Sequence, residues 1–374
     1  RELGERNLAN QLFSRSLKLR RDNGDDVGVA ESLLDLSSLH ADDGDSRSAI
    51  RILRDALAQL RHKVGDRHPL AIDMLRGLCS LERNNDDLVA AERDCRDSLA
   101  LALDLHGRSH RATVDARRNL AALYVDLGRF GEAETELLDA YAWMRARLGR
   151  NHPDLARTYN SLGIVAWERG DLVGAIDYQA RAVEIWRKGN NPGLTAAGAY
   201  NLAMILHSAG RDVDALPLIR ESVALRIQRF GAGHELVGDS DRLLGEILAG
   251  LGAPDEALDA LQTAVRLTRG GYGAAHSHTR RAEISLARAQ AAQGDAAALL
   301  RLRGWSHYDG NDIEQRKASW LAHAYAAERD CRARPAQARA ELEAVLAQIQ
   351  LRLPEGGALP REIAQIRAGC GKQP

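Results

Sequence analysis

The chain has 374 residues and sets 51 Lys+Arg against 52 Asp+Glu, a formal net charge of −1. That balance excludes a bulk polyanion partner such as nucleic acid or an anionic membrane, whose capture draws on excess Lys and Arg. Aromatics are only 4% of the residues and the apolar set is mostly Ala and Leu, which excludes a β-barrel or propeller and leaves an all-α fold.

The first residue is Arg rather than Met, as expected of a piece of something longer. Leu3 to Arg21 reads as one helix, with Leu8, Leu12, Phe13, Leu17 and Leu19 on its apolar face. From Asp26 the chain repeats itself. Gly65 is followed by His68-Pro69, Gly107 by His110, Gly149 by His152-Pro153, Gly189 by Pro192, Gly231 by His234 and Gly273 by His276. The glycine steps are 42, 42, 40, 42 and 42 residues. A second series, Gly44, Asp86, Gly128, Gly170, Gly210, Gly252 and Gly294, has the same period and the same single step of 40. Two independent markers sharing one period and one deletion define a repeat.

Each unit holds two helical stretches. In the first, Leu36, Leu78, Leu120, Leu162, Leu202, Leu244 and Leu286 recur, each followed by a small residue: Ser37, Cys79, Ala121, Gly163, Ala203, Gly245 and Ala287. In the second, Ala49, Ala91, Ala133, Ala175, Ala215 and Ala257 are followed seven residues on by Ala56, Ser98, Ala140, Ala182, Ser222 and Ala264. A step of seven returns to one helix face, where small residues let two helices approach closely. After Ser306 the pattern slips. Leu321, Ala322 and Tyr325 read as a degenerate first helix, and Pro335, Ala338, Leu342, Val345, Leu346 and Ile349 as its partner. The turn PEGGALP then leads to a short capping helix with Ile363 and Ile366. The expected division is an N-terminal helix over 1–23, seven units over 24–306, a degenerate eighth pair over 307–353, and a cap and tail over 354–374.

Catalytic chemistry finds no support in this pattern. There is no GxxxxGK[ST] loop, no GxGxxG after a strand, no HExxH and no paired CxxC, so no enzyme activity, cofactor or metal is expected. The serial histidines His68, His110, His152, His234 and His276 belong to stacked units about 10 Å apart, too far for shared metal–nitrogen bonds of about 2 Å. They are expected to order the turns between units, helped by Pro69, Pro153 and Pro192 at helix starts. Cys79 and Cys95 read as small buried hydrophobes that face each other. A bridge between Cys331 and Cys370 would tie the cap down in an oxidising compartment. No membrane-length apolar run and no signal-peptide pattern is present, and the compartment is left open.

The third unit, NLAALYVDLGRFGEAETELLDAYAWMRARLGRNHP, carries Leu120, Ala121, Tyr124, Gly128, Phe130, Ala133, Leu137 and Ala140. In this it resembles the tetratricopeptide repeat, in the 42-residue variety found in kinesin light chains. It is also similar to the arrays that follow the kinase domain in bacterial Ser/Thr protein kinases. The resemblance implies an all-α, right-handed α-α superhelix whose first helices line a concave face that binds a peptide segment of a partner. Placed on this chain, the inward positions are Arg76, Arg118, Asn119, Asn160, Tyr200, Asn201 and Arg242, with Arg83, Ile164, Trp167, Met204 and His207 a turn further on. Arg forks suit carboxylates and Asn amides suit peptide backbone, so the expected ligand is a segment with acidic and apolar residues. Glu31, Asp73, Asp115 and Asp239 lie on the same rim, and the three aspartates are expected to pair with Arg76, Arg118 and Arg242 three residues on. A regulatory receptor for a signalling peptide or small ligand, and self-association through the terminal helices, are the alternative readings.

Overall fold

The computed structural model describes the backbone of all residues except 1, 43, 44, 86, 151, 309, 311, 355 and 372–374. Side chains are described from residue 11 onward, with residue 42 also left aside. The turn markers Gly44 and Asp86, Glu355 of the PEGGALP turn and the Leu3 and Leu8 side chains therefore lie outside the described residues.

Every described element of regular structure is an α-helix. Helix α1 (Glu2–Asp22) precedes seven pairs: α2 (Asp26–Asp42) and α3 (Ser46–Val64), α4 (Pro69–Asn84) and α5 (Leu88–His106), α6 (Arg111–Asp126) and α7 (Phe130–Leu148), α8 (Pro153–Arg169) and α9 (Leu172–Lys188), α10 (Pro192–Ser208) and α11 (Asp212–Phe230), α12 (Glu235–Gly250) and α13 (Pro254–Gly271), α14 (Ser277–Ala292) and α15 (Ala296–Trp305). An eighth pair, α16 (Ile313–Asp330) and α17 (Pro335–Arg352), leads to α18 (Ala358–Gly369). Helices pack mainly on their neighbours in sequence, as in a solenoid. The chain forms two compact bodies, Arg1–Gly149 and Arg150–Pro374.

The serial histidines have a specific task. His68, His110, His152, His234 and His276 are the N-cap residues of α4, α6, α8, α12 and α14. In each, Nδ1 accepts the backbone N–H two residues on, at 3.1–3.2 Å. That satisfies one of the donors a helix start leaves open. Asn191 caps α10 through Oδ1, which accepts the N–H of Leu194, three residues on. The two-residue deletion falls in α9, which has 17 residues where α7 and α11 have 19. Gly65, Gly107, Gly149, Gly231 and Gly273 close their helices with positive φ, but Gly189 stays at −77° and Asn190 takes the left-handed turn at 49°. Asn is the residue after Gly that best tolerates that region.

Small residues set the spacing within pairs. Ala49, Ala91, Ala133, Ala175, Ala215 and Ala257 are fully buried. A Cβ on Gly245 would come within 2.9 Å of the Ala257 carbonyl oxygen, so α12 and α13 touch backbone to backbone there. Leu78, Leu120, Leu162 and Leu202 are buried as expected, whereas Leu36, Leu244 and Leu286 are half-buried. In α12 and α14 neighbouring Leu243 and Ile284 fill the core instead. Both cysteine pairs are bonded: Cys79 to Cys95 across α4 and α5 with Cα atoms 5.1 Å apart, and Cys331 to Cys370 across α16 and α18 with 4.9 Å. These spans suit a disulfide, so Cys79 and Cys95 are a crosslink rather than two separate apolar side chains.

Candidate functional site: the first-helix faces

In the N-terminal body the first-helix side chains pair with one another. Arg76 lies 2.8 Å from Asp73 and 4.0 Å from Asp115, and Arg118 lies 3.5 Å from Asp115. Arg83 holds Asp126 at 2.7 Å. Asn119 donates to the carbonyl of Arg76, one unit back, at 3.4 Å. The expected arginine–aspartate pairs form at Arg76 and Arg118. Glu31 instead meets Arg20 of α1 at 3.2 Å.

The C-terminal body carries a longer ladder. Asn160 Oδ1 accepts from Gln179 Nε2 at 2.9 Å and from Asn201 Nδ2 at 3.0 Å. Arg242 donates to Tyr200 Oη at 2.8 Å and to Glu246 at 2.6 Å, and Ser285 donates to the same Glu246. Trp167 Nε1 donates to Ser208 at 2.8 Å, and His207 meets Asp212 at 2.5 Å. Most of these bonds join residues one unit apart, so they also stitch neighbouring repeats. Ile164 is half-buried, while Trp167, Tyr200 and Met204 pack their apolar parts against the core.

The third expected aspartate pair is replaced. Asp239 bonds His278 Nδ1 and Tyr272 Oη, each at 2.8 Å, and Arg242 turns to Glu246. Burial pushes both carboxyls up, but His278 and Tyr272 hold Asp239 below the ordinary aspartate range. Likewise Arg242, His207 and Ser285 outweigh burial and hold Glu246 at about 2. Further along, Arg288 forms a two-pronged bond to Glu328 at 3.0 Å and stacks on the Tyr325 ring at 3.9 Å. Tyr325 Oη donates to Glu362 of α18 at 2.6 Å.

Glu246 and Arg288 were missed from the sequence although they stand two residues after the recurrent leucine, the position of Ile164 and Met204. Extending that register past unit five would have found them. Glu328 and Glu362 had no such signal, because the register slips after Ser306, and Glu168 stands six residues after Leu162, beyond the positions read as inward. Among the described residues no group of three or more His, Cys, Asp or Glu side chains could hold a metal ion, and His276 and His278 serve as helix cap and aspartate partner. No described helix is long and apolar enough to cross a membrane.

Models described as tetratricopeptide repeat match residues 29–70, 116–188 and 194–270, together just over half of the chain. Among curated proteins none matches. Solved structures share the fold at low identity. BtubC (BKLC) from P. vanneervenii is 21% identical over 59% of this chain and 91% of its own, with a TM-score of 0.52. A Rap protein complexed with Competence and Sporulation Factor is 12% identical over 91% of this chain and 98% of its own, with a TM-score of 0.58. The signal-transduction ATPase PH0952 from Pyrococcus horikoshii, with its tetratricopeptide-repeat sensor, is 14% identical over 84% of this chain and 43% of its own, also at 0.58. With the matched models falling on the helix pairs and their capped turns, the chain belongs to the tetratricopeptide-repeat family.

Proposed function

We propose that this chain is a non-catalytic interaction scaffold whose first-helix faces dock a peptide segment of a partner protein. The observation that carries this reading is the ordered ladder through Asn160, Asn201, Tyr200 and Arg242. Its side chains are fixed before any ligand arrives, which lowers the entropic cost of binding. Beside them Ile164 and Met204 keep part of their apolar surface open. Arg76, Arg83, Arg118 and Asn119 form the corresponding row of the N-terminal body, already matched in charge by Asp73, Asp115 and Asp126. We divide the array as an N-terminal helix, seven units, a degenerate eighth pair and a cap.

The test is to select peptides on the full chain by phage display and titrate them into Met204→Glu and Arg76→Glu variants. Both sites are partly exposed, so the helical fold should hold while affinity falls at least tenfold in one or both. Unchanged affinity in both variants would remove the first-helix faces from the binding event.

Self-association is a second reading, favoured by Leu12 and Leu19, seven residues apart on α1 and both more than half exposed. A monomeric mass by light scattering at micromolar concentration would end it. The Rap complex prompts the receptor reading, in which a signalling peptide or small ligand changes the solenoid's pitch; a scattering profile unchanged by ligand would overturn it. Attachment to a Ser/Thr kinase follows from the resemblance to bacterial arrays. A reading frame upstream of Arg1 without VAIK, HRD and DFG motifs would overturn that.

A further inference from the structure

Helix α18 does more than cover the end of the array. Its apolar side belongs to the last helices: Ile363 is fully buried, and Leu359 and Ile366 pack beside it against α14, α16 and α17 residues. The Cys331–Cys370 bond fixes its far end to α16. Its first turn, however, reaches α8, some 190 residues earlier in the chain. The Ala358 N–H donates to the Glu168 carboxylate at 2.8 Å. The Arg361 guanidinium donates to the backbone carbonyls of Trp167 and Glu168. Both carbonyls lie in the last turn of α8, at the negative end of its dipole, and that of Trp167 also accepts from the Gly170 N–H at 3.0 Å.

Toward α18 the α8 end presents one carboxylate and two carbonyls as acceptors, with the left-handed Gly170 leaving space beside them for the Arg361 stem. Burial lifts the Glu168 carboxyl above the ordinary range, while the Ala358 N–H and then Lys317, Arg361 and Arg281 pull it back. Such acceptors give an acidic group nothing to bond. A cation with several donors in a planar fork fits them, and Arg361 is one.

We propose that the C-terminal end of α8, built from Glu168 and the Trp167 and Glu168 carbonyls, is a docking site for an arginine-bearing helical segment of a partner, and that α18 fills it in cis. This deepens the peptide-docking reading and rests on it, but it changes the expected ligand at this place from acidic to basic. The occupant is defined by what α18 presents: a helix start with open N–H groups for Glu168, an arginine in the first turn, and apolar residues behind it.

The test uses the full chain with its disulfides intact and a fluorescein-labelled synthetic peptide spanning residues 357–369. Arg361→Ala leaves Ile363 and the Cys331–Cys370 bond untouched while releasing the first turn of α18. Hydrogen exchange at residues 358–361 should then rise at least tenfold. Anisotropy titration should show the peptide binding the variant at least tenfold more tightly than the unmodified chain. Adding Glu168→Ala should return affinity to the unmodified level, and a peptide with Arg361 replaced by Ala should not gain from the release. Equal affinity for the chain and its Arg361→Ala variant, absence of binding to both included, overturns the proposal, as does indifference to Glu168→Ala. If these results fail while Met204→Glu still weakens selected peptides, only the arginine site falls. If they hold while Met204→Glu and Arg76→Glu change nothing, the broader face falls instead.

Discussion

At the scale of single residues, the most consequential group outside the candidate site is Glu82. It is buried in α4 beside Asp94 of α5, with Arg54 bonded to both and Arg93 2.9 Å from Asp94. Burial, and then the Asp94 charge, raise the Glu82 carboxyl from 4.5 to about 7. The folded chain thus holds a proton that the unfolded chain gives up near 4.5. Its contribution to stability is whole below that value and is lost as pH rises through about 7. We predict that urea stability of the N-terminal body falls by about 1–3 kcal/mol between pH 5 and 8. Glu82→Gln should flatten that slope; a slope equal in both proteins would assign it elsewhere. Gly245 gives a second prediction at this scale. Gly245→Ala must separate α12 from α13 and should cost about 1–3 kcal/mol in a denaturant melt, with no change in helical content.

Among elements, the helix starts were legible as positions but not as chemistry. The 42-residue spacing placed His68, His110, His152, His234 and His276 at the turns, and the structure makes each an N-cap acceptor through Nδ1. Asn191 in the same place of the fifth unit shows that an acceptor is what the position requires. His110→Ala should therefore cost about 1 kcal/mol by urea denaturation, and His110→Asn should restore most of it. Equal losses would point to the stacking of His110 on His106 instead. The residues expected on the inner face all lie on first helices. Their partners were not legible, because Asn201 with Asn160 and Arg242 with Tyr200 meet across units and only the packing of one helix on the next brings them together. The slip from Leu244 to Leu243 in the core was hidden because both residues are leucine.

For the molecule as a whole, the near-zero charge is built from local cancellation. Arg76 with Asp73, Arg118 with Asp115, Arg242 with Glu246 and Arg288 with Glu328 each balance within one or two helices. Each body also carries one disulfide, which sequence alone left open because spacing does not fix geometry. Joining residues 39 apart, the Cys331–Cys370 bond is worth up to about 4 kcal/mol in chain entropy. Replacing both by Ser should speed hydrogen exchange in α16 to α18 and leave α2 to α7 as before. Equal acceleration in both bodies would show that the loss is not local.

Arrays of this kind fold from contacts between neighbours in sequence, which makes them fast to assemble and prone to fray from either end. The bond from Ala358 to Glu168 departs from that rule, closing a loop of 190 residues. Its closure entropy must be met after the intervening helices are in place, so it forms late. During synthesis α18 emerges only after α8 and the helices between them, so the Glu168 carboxylate waits for Ala358 until then. Once closed, the loop couples the opening of the last helices to that of α8, turning a row of nearest-neighbour steps into one cooperative unit.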